Sequence, residues 1–165
     1  MIADCSDAPN RRDGQKNSRT YIASIAATIS LPHLKQWYPS GFLFSARESR
    51  EGEKAIRRLG IKASGPEASV WSLSGGNQQK VVLARWEAEP SRLLLLDEPF
   101  QGVDVGARQD IIAAIRAHTD RATLIATSDP EEALEVADRV LVMEHHGLRE
   151  IADVTASGLQ NKEYV

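Results

Sequence analysis

Apolar residues recur at helical spacing at Ile22, Ile25, Ile29 and Leu34, with Pro32 marking an interruption. A second amphipathic segment runs from about Ala46 to Leu59, where Gly60 closes it, and a further helix is predicted to start near Ser74. Together these predict a small helical subdomain over residues 21–90. From Arg92 the pattern changes to short apolar runs alternating with amphipathic ones. Strands are predicted at Arg92 to Asp97, Thr123 to Thr127 and Arg139 to Met143, with helices at Gly106 to His118 and Pro130 to Ala137. That alternation, over residues 91–152, predicts an α/β fold whose parallel sheet is covered on both faces. Val140 to Met143 and Arg149 to Ile151, joined by Glu144-His145-His146-Gly147, are predicted as an edge hairpin. Residues 1–20 are polar and without a periodic apolar pattern, and are expected to be poorly ordered. Residues 153–165 are predicted as a tail.

Composition narrows the function classes. The chain has 165 residues, enough for one ordinary core, and a net charge of -3. That charge argues against nucleic-acid binding, which needs clustered Lys and Arg in excess. The densest basic stretch, Arg11 to Arg19, is interleaved with Asp13, Gln15 and Asn17 and is predicted as a solvated loop. Cys5 is the single cysteine, so no intrachain disulfide and no Cys-based zinc site can form, and a reducing compartment fits. No apolar run is long enough to span a bilayer, and Met1 to Asn10 lacks the order of a signal peptide. Membrane association is therefore expected only through a partner.

Two segments carry chemistry. Leu93-Leu94-Leu95-Leu96-Asp97-Glu98-Pro99 is an apolar strand ending in two carboxylates. In open α/β sheets ligands sit beyond the carboxyl ends of the strands, which places Asp97 and Glu98 at the expected site. Adjacent acids suit Mg-nucleotide chemistry, one anchoring the magnesium shell and the other polarising the attacking water; a strand followed by an acidic turn would look the same. The second segment is Leu73-Ser74-Gly75-Gly76-Asn77-Gln78-Gln79-Lys80, directly ahead of the apolar Val81 to Ala84. Ser74 is a natural N-cap, and the glycines let helix-start amides approach an anion that the dipole also favours. A plain capped helix is the alternative, yet Leu-Ser-Gly-Gly arises by chance at roughly one position in thirty thousand.

In these segments the sequence resembles the ABC transporter ATPases, and specifically the second ATPase domain of the tandem carbohydrate importers. The matching text is LGIKASGPEASVWSLSGGNQQKVVLARW, LLLLDEPFQGVDVGARQDI and DRVLVMEHHG; the NQQK ending and Gly102-Val103-Asp104-Val105-Gly106 point to the sugar-importer branch. The resemblance, over roughly residues 20–152, implies a partial P-loop NTPase (RecA-like) core with an ABC helical subdomain. It implies an ATPase of a sugar importer, with ATP and Mg as cofactors. Its partners would be a second ABC ATPase domain in a head-to-tail pair and a transmembrane permease, at the cytoplasmic face of the plasma membrane. By the same resemblance, Ser74, Gly75, Gly76 and Gln78 would serve a partner's nucleotide. Asp97 would be the Walker B magnesium residue, Glu98 the catalytic carboxylate and Asp104 the D-loop aspartate. An interaction module without chemistry is the alternative; a DNA-repair or chromosome ATPase lobe would need heptads and a basic face that are missing.

The sequence departs from the family pattern in three places. It contains no Gly-x-x-x-x-Gly-Lys-Ser/Thr, so a truncation lacking the first half of the domain, poor hydrolysis by the isolated chain and marginal stability are expected. Ser128 stands where many members carry a γ-phosphate histidine; its hydroxyl can donate a hydrogen bond but cannot carry the imidazole's charge. Phe100-Gln101 replaces the usual Thr and small or basic residue, and either fills a local gap as a structural feature or alters the seam between domains. Elsewhere, His145-His146 is predicted as a turn, His33 and His118 as isolated surface positions, and Trp86 as packing in the helical subdomain.

Overall fold

The computed structural model describes residues 2–4, 24–42, 44–144 and 147–151. The first helix, α1 (Ile25–Ser30), starts where Ser24 Oγ accepts the Ala27 amide at 3.2 Å. A 3-10 turn, Leu31–His33, absorbs Pro32 and leads into α2 (Leu34–Trp37). α3 (Ser45–Leu59) presents Gly52, Ala55 and Leu59 inward, and Gly60 ends it in the left-handed conformation at φ 59°. α4 (Gly75–Glu87) completes the helical layer. Ile25, Ile29 and Val81 are fully buried in it, and each buried aliphatic side chain of this kind contributes about 2 kcal/mol. Gly52 is there for contact: a Cβ on it would lie 3.2 Å from Ala26 Cβ.

The sheet is parallel and three-stranded, in the order β1 (Ile2–Asp4), β2 (Leu93–Asp97) and β3 (Ala122–Ala126). Asp4 pairs with Asp97, and Asp97 with Ala126. β1, inside the segment expected to be poorly ordered, pairs along the edge of β2; the rest of residues 1–20 lies outside the described residues. α5 (Val105–Arg116) follows β2, and α6 (Pro130–Val136) follows β3. β4 (Val140–Glu144) and β5 (Gly147–Ile151) form an antiparallel hairpin. It is a separate two-stranded sheet rather than the edge of the main one, with Val140 and Ile151 packed against Ala133, Leu134 and Ala137. His145 and His146 lie outside the described residues, as does the 153–165 tail.

Among the described residues the sheet is covered on one face only, against the two-sided cover predicted from its apolar strands. Leu94 and Leu96 pack with Val81, Ala84, Ile111, Ile112 and Ile115, whereas Leu93 and Leu124 on the other face stay exposed. Strand order explains this. When parallel strands follow chain order across a sheet, right-handed crossovers put every connecting helix on the same side.

Charged side chains tie the helical layer to the core. Lys80, 3% exposed, donates to Asp110 Oδ2 at 2.5 Å, and the buried Glu87 carboxylate accepts from Arg58 at 3.0 Å and from Arg121. His118 Nε2 lies 3.6 Å from the same carboxylate, so it is not isolated. His33 also departs from the surface position predicted for it: it is buried, stacks on Trp37, and bonds the Arg85 carbonyl at 2.8 Å. A polar residue flanked by Pro32 and Leu34 reads as exposed until a carbonyl 52 residues away supplies its partner.

Candidate functional site

The predicted site residues fall into two contacting groups, one at each end of the loop that joins β2 to α5. The first group is the start of α4 against the start of α5. Ser74 occupies the N-cap position with extended backbone but makes no side-chain cap bond, contrary to expectation. Its Oγ instead accepts from Asn77 Nδ2 at 2.8 Å, while Asn77 Oδ1 accepts the Lys62 amide at 2.9 Å. The asparagine side chain thus takes the serine acceptor, leaving amides at the exposed helix start without the usual intramolecular cap. Gln78 Nε2 donates to the Val70 and Leu73 carbonyls at 3.2 and 3.1 Å, holding the turn that precedes Ser74.

The two glycines make room for the facing loop. A Cβ on Gly75 would lie 3.2 Å from the Gly102 carbonyl, and one on Gly76 only 2.5 Å from Ala107 Cβ and 3.4 Å from Asp104 Oδ2. Asp104 caps α5 by accepting the Ala107 amide at 2.9 Å. Gly102, with φ 69°, turns the chain toward it. Sequence spacing alone does not bring Ser74–Gly76 to Asp104; the packing of α4 on α5 does.

The second group lies at the carboxyl end of the sheet. Asp97 ends β2 exposed, and among the described residues no side chain bonds its carboxylate. A free, solvated carboxylate fits a magnesium ion that keeps several waters and takes its remaining ligands from phosphate. Glu98 turns sharply at φ 44°, the sole non-glycine at positive φ among the described residues. That conformation costs about 1–2 kcal/mol. It is held by the Glu98 amide donating to the Ala126 carbonyl at 2.9 Å and by the Ser128 amide donating to Glu98 Oε1 at 2.8 Å. Ser128 therefore meets Glu98 through its backbone.

Thr127, Arg108 and Glu132 at this end were not singled out from the sequence as site residues. Thr127 Oγ1 donates to Glu132 Oε2 at 2.7 Å and lies 3.4 Å from Glu98 Oε2. Arg108 donates to Glu132 Oε1 at 2.7 Å, and this bond and the nearby acids raise its pKa further above the ordinary arginine value. Phe100 is buried with the Arg108 guanidinium 5.8 Å from its ring centroid, in keeping with a structural place for it. Glu132 reads from sequence as one of two acids favoured by the α6 dipole, and only the tertiary contact reveals its second use.

The description "ABC transporter" names the family model that matches residues 6–101, more than half of the chain. This chain belongs to the ABC transporter family. Among its curated relatives, the ribose import ATP-binding protein RbsA of Chelativorans sp. strain BNC1 is 44% identical over 123 residues, 73% of this chain and 24% of that protein. The arabinose import ATP-binding protein AraG 2 of Burkholderia thailandensis is 41% identical over 134 residues, 79% of this chain and 26% of that protein. The chain thus spans about a quarter of the length of these relatives. Among solved structures, a metal-chelate type ABC transporter in an inward-facing conformation aligns with TM-score 0.70 and 18% identity, over 87% of this chain and 59% of that one. The ATP-binding cassette MJ0796, as a dimer bound to ADP and Pi, aligns with TM-score 0.62 and 18% identity, over 73% and 52%. These likenesses show the fold: part of a P-loop NTPase core with the helical layer of an ABC ATPase. Among the described residues no helix is long and apolar enough to cross a membrane.

Proposed function

We propose that the chain is part of the ATP-binding subunit of an ABC carbohydrate importer, working in the cytoplasm at the inner face of the membrane against a transmembrane permease. The observation that carries this reading is the packing of the Ser74–Gly76 helix start onto the Asp104 loop, with Asp97 and Glu98 at the other end of the same connection. Relatives bearing ribose and arabinose import names support the substrate class.

In this reading Ser74, Gly75 and Gly76 meet the γ-phosphate of ATP held by the opposing domain of a head-to-tail pair, through helix-start amides aimed at an anion. Gln78 supports that surface from behind through its bonds to Val70 and Leu73. Asp104 lies at the seam. Asp97 would hold magnesium, which supplies charge neutralisation on the phosphates. Glu98 orients and polarises the attacking water, and Ser128 offers one hydroxyl where an imidazole would offer a charge.

A second reading is favoured by one sequence feature, Ser128 at the position where many members carry a γ-phosphate histidine. It makes the chain an interaction module that lends its signature turn and hydrolyses nothing itself. The test measures ATP turnover of the chain alone and mixed with a complete import ATPase cassette. The expected result is negligible turnover alone and stimulation on mixing that Ser74→Arg removes. Glu98→Gln divides the two readings: a loss of stimulated turnover supports the enzyme component, and no change supports the module. Robust turnover by the chain alone contradicts both.

A further inference from the structure

Glu98 is held at its far end by more than its own strand. Its Oε1 accepts the Ser128 amide at 2.8 Å, and the direction of that amide is set by the peptide plane between Thr127 and Ser128. Thr127 is in turn pinned by its hydroxyl. Oγ1 accepts the Asp129 amide at 3.1 Å and donates its single hydrogen to Glu132 Oε2 at 2.7 Å, with Glu98 Oε2 3.4 Å away on the other side. One hydrogen cannot serve both carboxylates, and the shorter contact takes it.

Glu132 is 8% exposed, and Arg108 pairs with its carboxylate there. The guanidinium donates to Glu132 Oε1 at 2.7 Å, opposite the oxygen that Thr127 uses. Arg108 is fixed from three further directions: the Phe100 ring at 5.8 Å, Asp129 Oδ2 at 3.9 Å and Glu135 Oε2 at 3.7 Å. It stands one helical turn beyond Asp104, whose carbonyl accepts its amide at 2.9 Å. An unbroken series of bonds runs from the first turn of α5 to the Glu98 carboxylate.

We infer that Arg108, Glu132 and Thr127 are positioning residues for Glu98, fixing the Ser128 amide that orients its carboxylate. The role rests on the proposed ATPase reading, since orienting Glu98 matters only where Glu98 acts on water. None of the three touches the reacting atoms. The arrangement uses a charge-clamped carboxylate to lock a hydroxyl, and the hydroxyl to lock a peptide plane. Each step replaces a freely rotating group by one held between a donor and an acceptor.

The test compares Thr127→Val, which keeps the shape and removes the hydroxyl, with Thr127→Ser, which keeps the hydroxyl. Arg108→Gln gives a second entry point. The first readout is the Ser128 amide resonance and its hydrogen exchange in the full chain, with the unfolding midpoint measured beside it. Exchange is expected to rise about tenfold in Thr127→Val and Arg108→Gln and to stay within about twofold of the parent in Thr127→Ser. The second readout is turnover at saturating ATP in the assembly with a complete cassette, expected to fall about tenfold in Thr127→Val with ATP affinity unchanged and to recover in Thr127→Ser. A Ser128 amide that does not respond to Thr127→Val overturns the inference. A parent assembly without any turnover, while Ser128 does respond, overturns the ATPase reading and the positioning role with it, and leaves the bonds as structure only.

Discussion

Gly76 on α4 and Ala107 on α5 touch so closely that a β-carbon on the glycine would lie 2.5 Å from Ala107 Cβ. The start of α4 and the Asp104 cap are therefore in direct contact, although 28 residues separate Gly76 from Asp104 in the sequence.

Gly76→Ala must push one helix start away from the other, and overpacking of this kind costs about 1–3 kcal/mol. Ala107→Gly opens the same space from the facing side. Urea unfolding of the two single variants and the double is expected to show Gly76→Ala destabilised and the double variant recovering a large part of the loss, with a coupling of about 1 kcal/mol or more. Simple additivity of the two changes would contradict a direct clash.

Tyr38 makes the helical layer sensitive to alkali. Its ring is buried and its hydroxyl donates to the Phe44 carbonyl at 3.1 Å. Burial raises the phenol above its ordinary value of 10.0 and Glu48 raises it further, with Arg47 pulling the other way. Below about pH 10 the phenol is protonated in folded and unfolded chains alike, and its contribution is whole. As pH climbs past that value the unfolded chain ionises first, so stability falls until the folded-state value is reached. Tyr38→Phe is expected to cost about 1 kcal/mol at neutral pH through the lost hydrogen bond. It should also flatten the decline above about pH 10. Parallel stability curves for parent and variant across that range would exclude Tyr38 as the cause.

Much of this is visible in the residue order, and what is not has a common reason. The periodicity of α3 and its glycine stop, the four leucines of β2 and the Asp129-Pro130 start of α6 are local signals, each complete within a few residues. The predicted hairpin is local too. Features that need a distant partner stay hidden: His33 becomes a buried residue only through Arg85, and Glu132 becomes part of the site only through Arg108, 24 residues earlier. The two-residue chemistry of Asp97 and Glu98 shows itself because adjacent positions at a strand end are local as well. What their side chains meet is decided by β3 and the turn after it, which no spacing within β2 encodes.

The open face of the sheet follows from strand order, and it supplies the last prediction. Leu93, Leu95 and Asp97 point to one side of β2, and the register sets them beside Ala122, Leu124 and Ala126 of β3. Leu93 is 45% and Leu124 56% exposed, an apolar surface running up to the Asp97 carboxylate. A parallel sheet normally buries both faces, so this surface seeks a cover. Leu124→Gln is expected to lower binding of a hydrophobic dye and concentration-dependent light scattering, with stability changed by no more than about 0.5 kcal/mol because little buried area is lost. Leu94→Ala, on the covered face where the side chain is fully buried, should instead cost about 2–5 kcal/mol. If Leu124→Gln destabilises the fold as strongly as Leu94→Ala, that face is covered in solution, and the one-sided sheet is wrong.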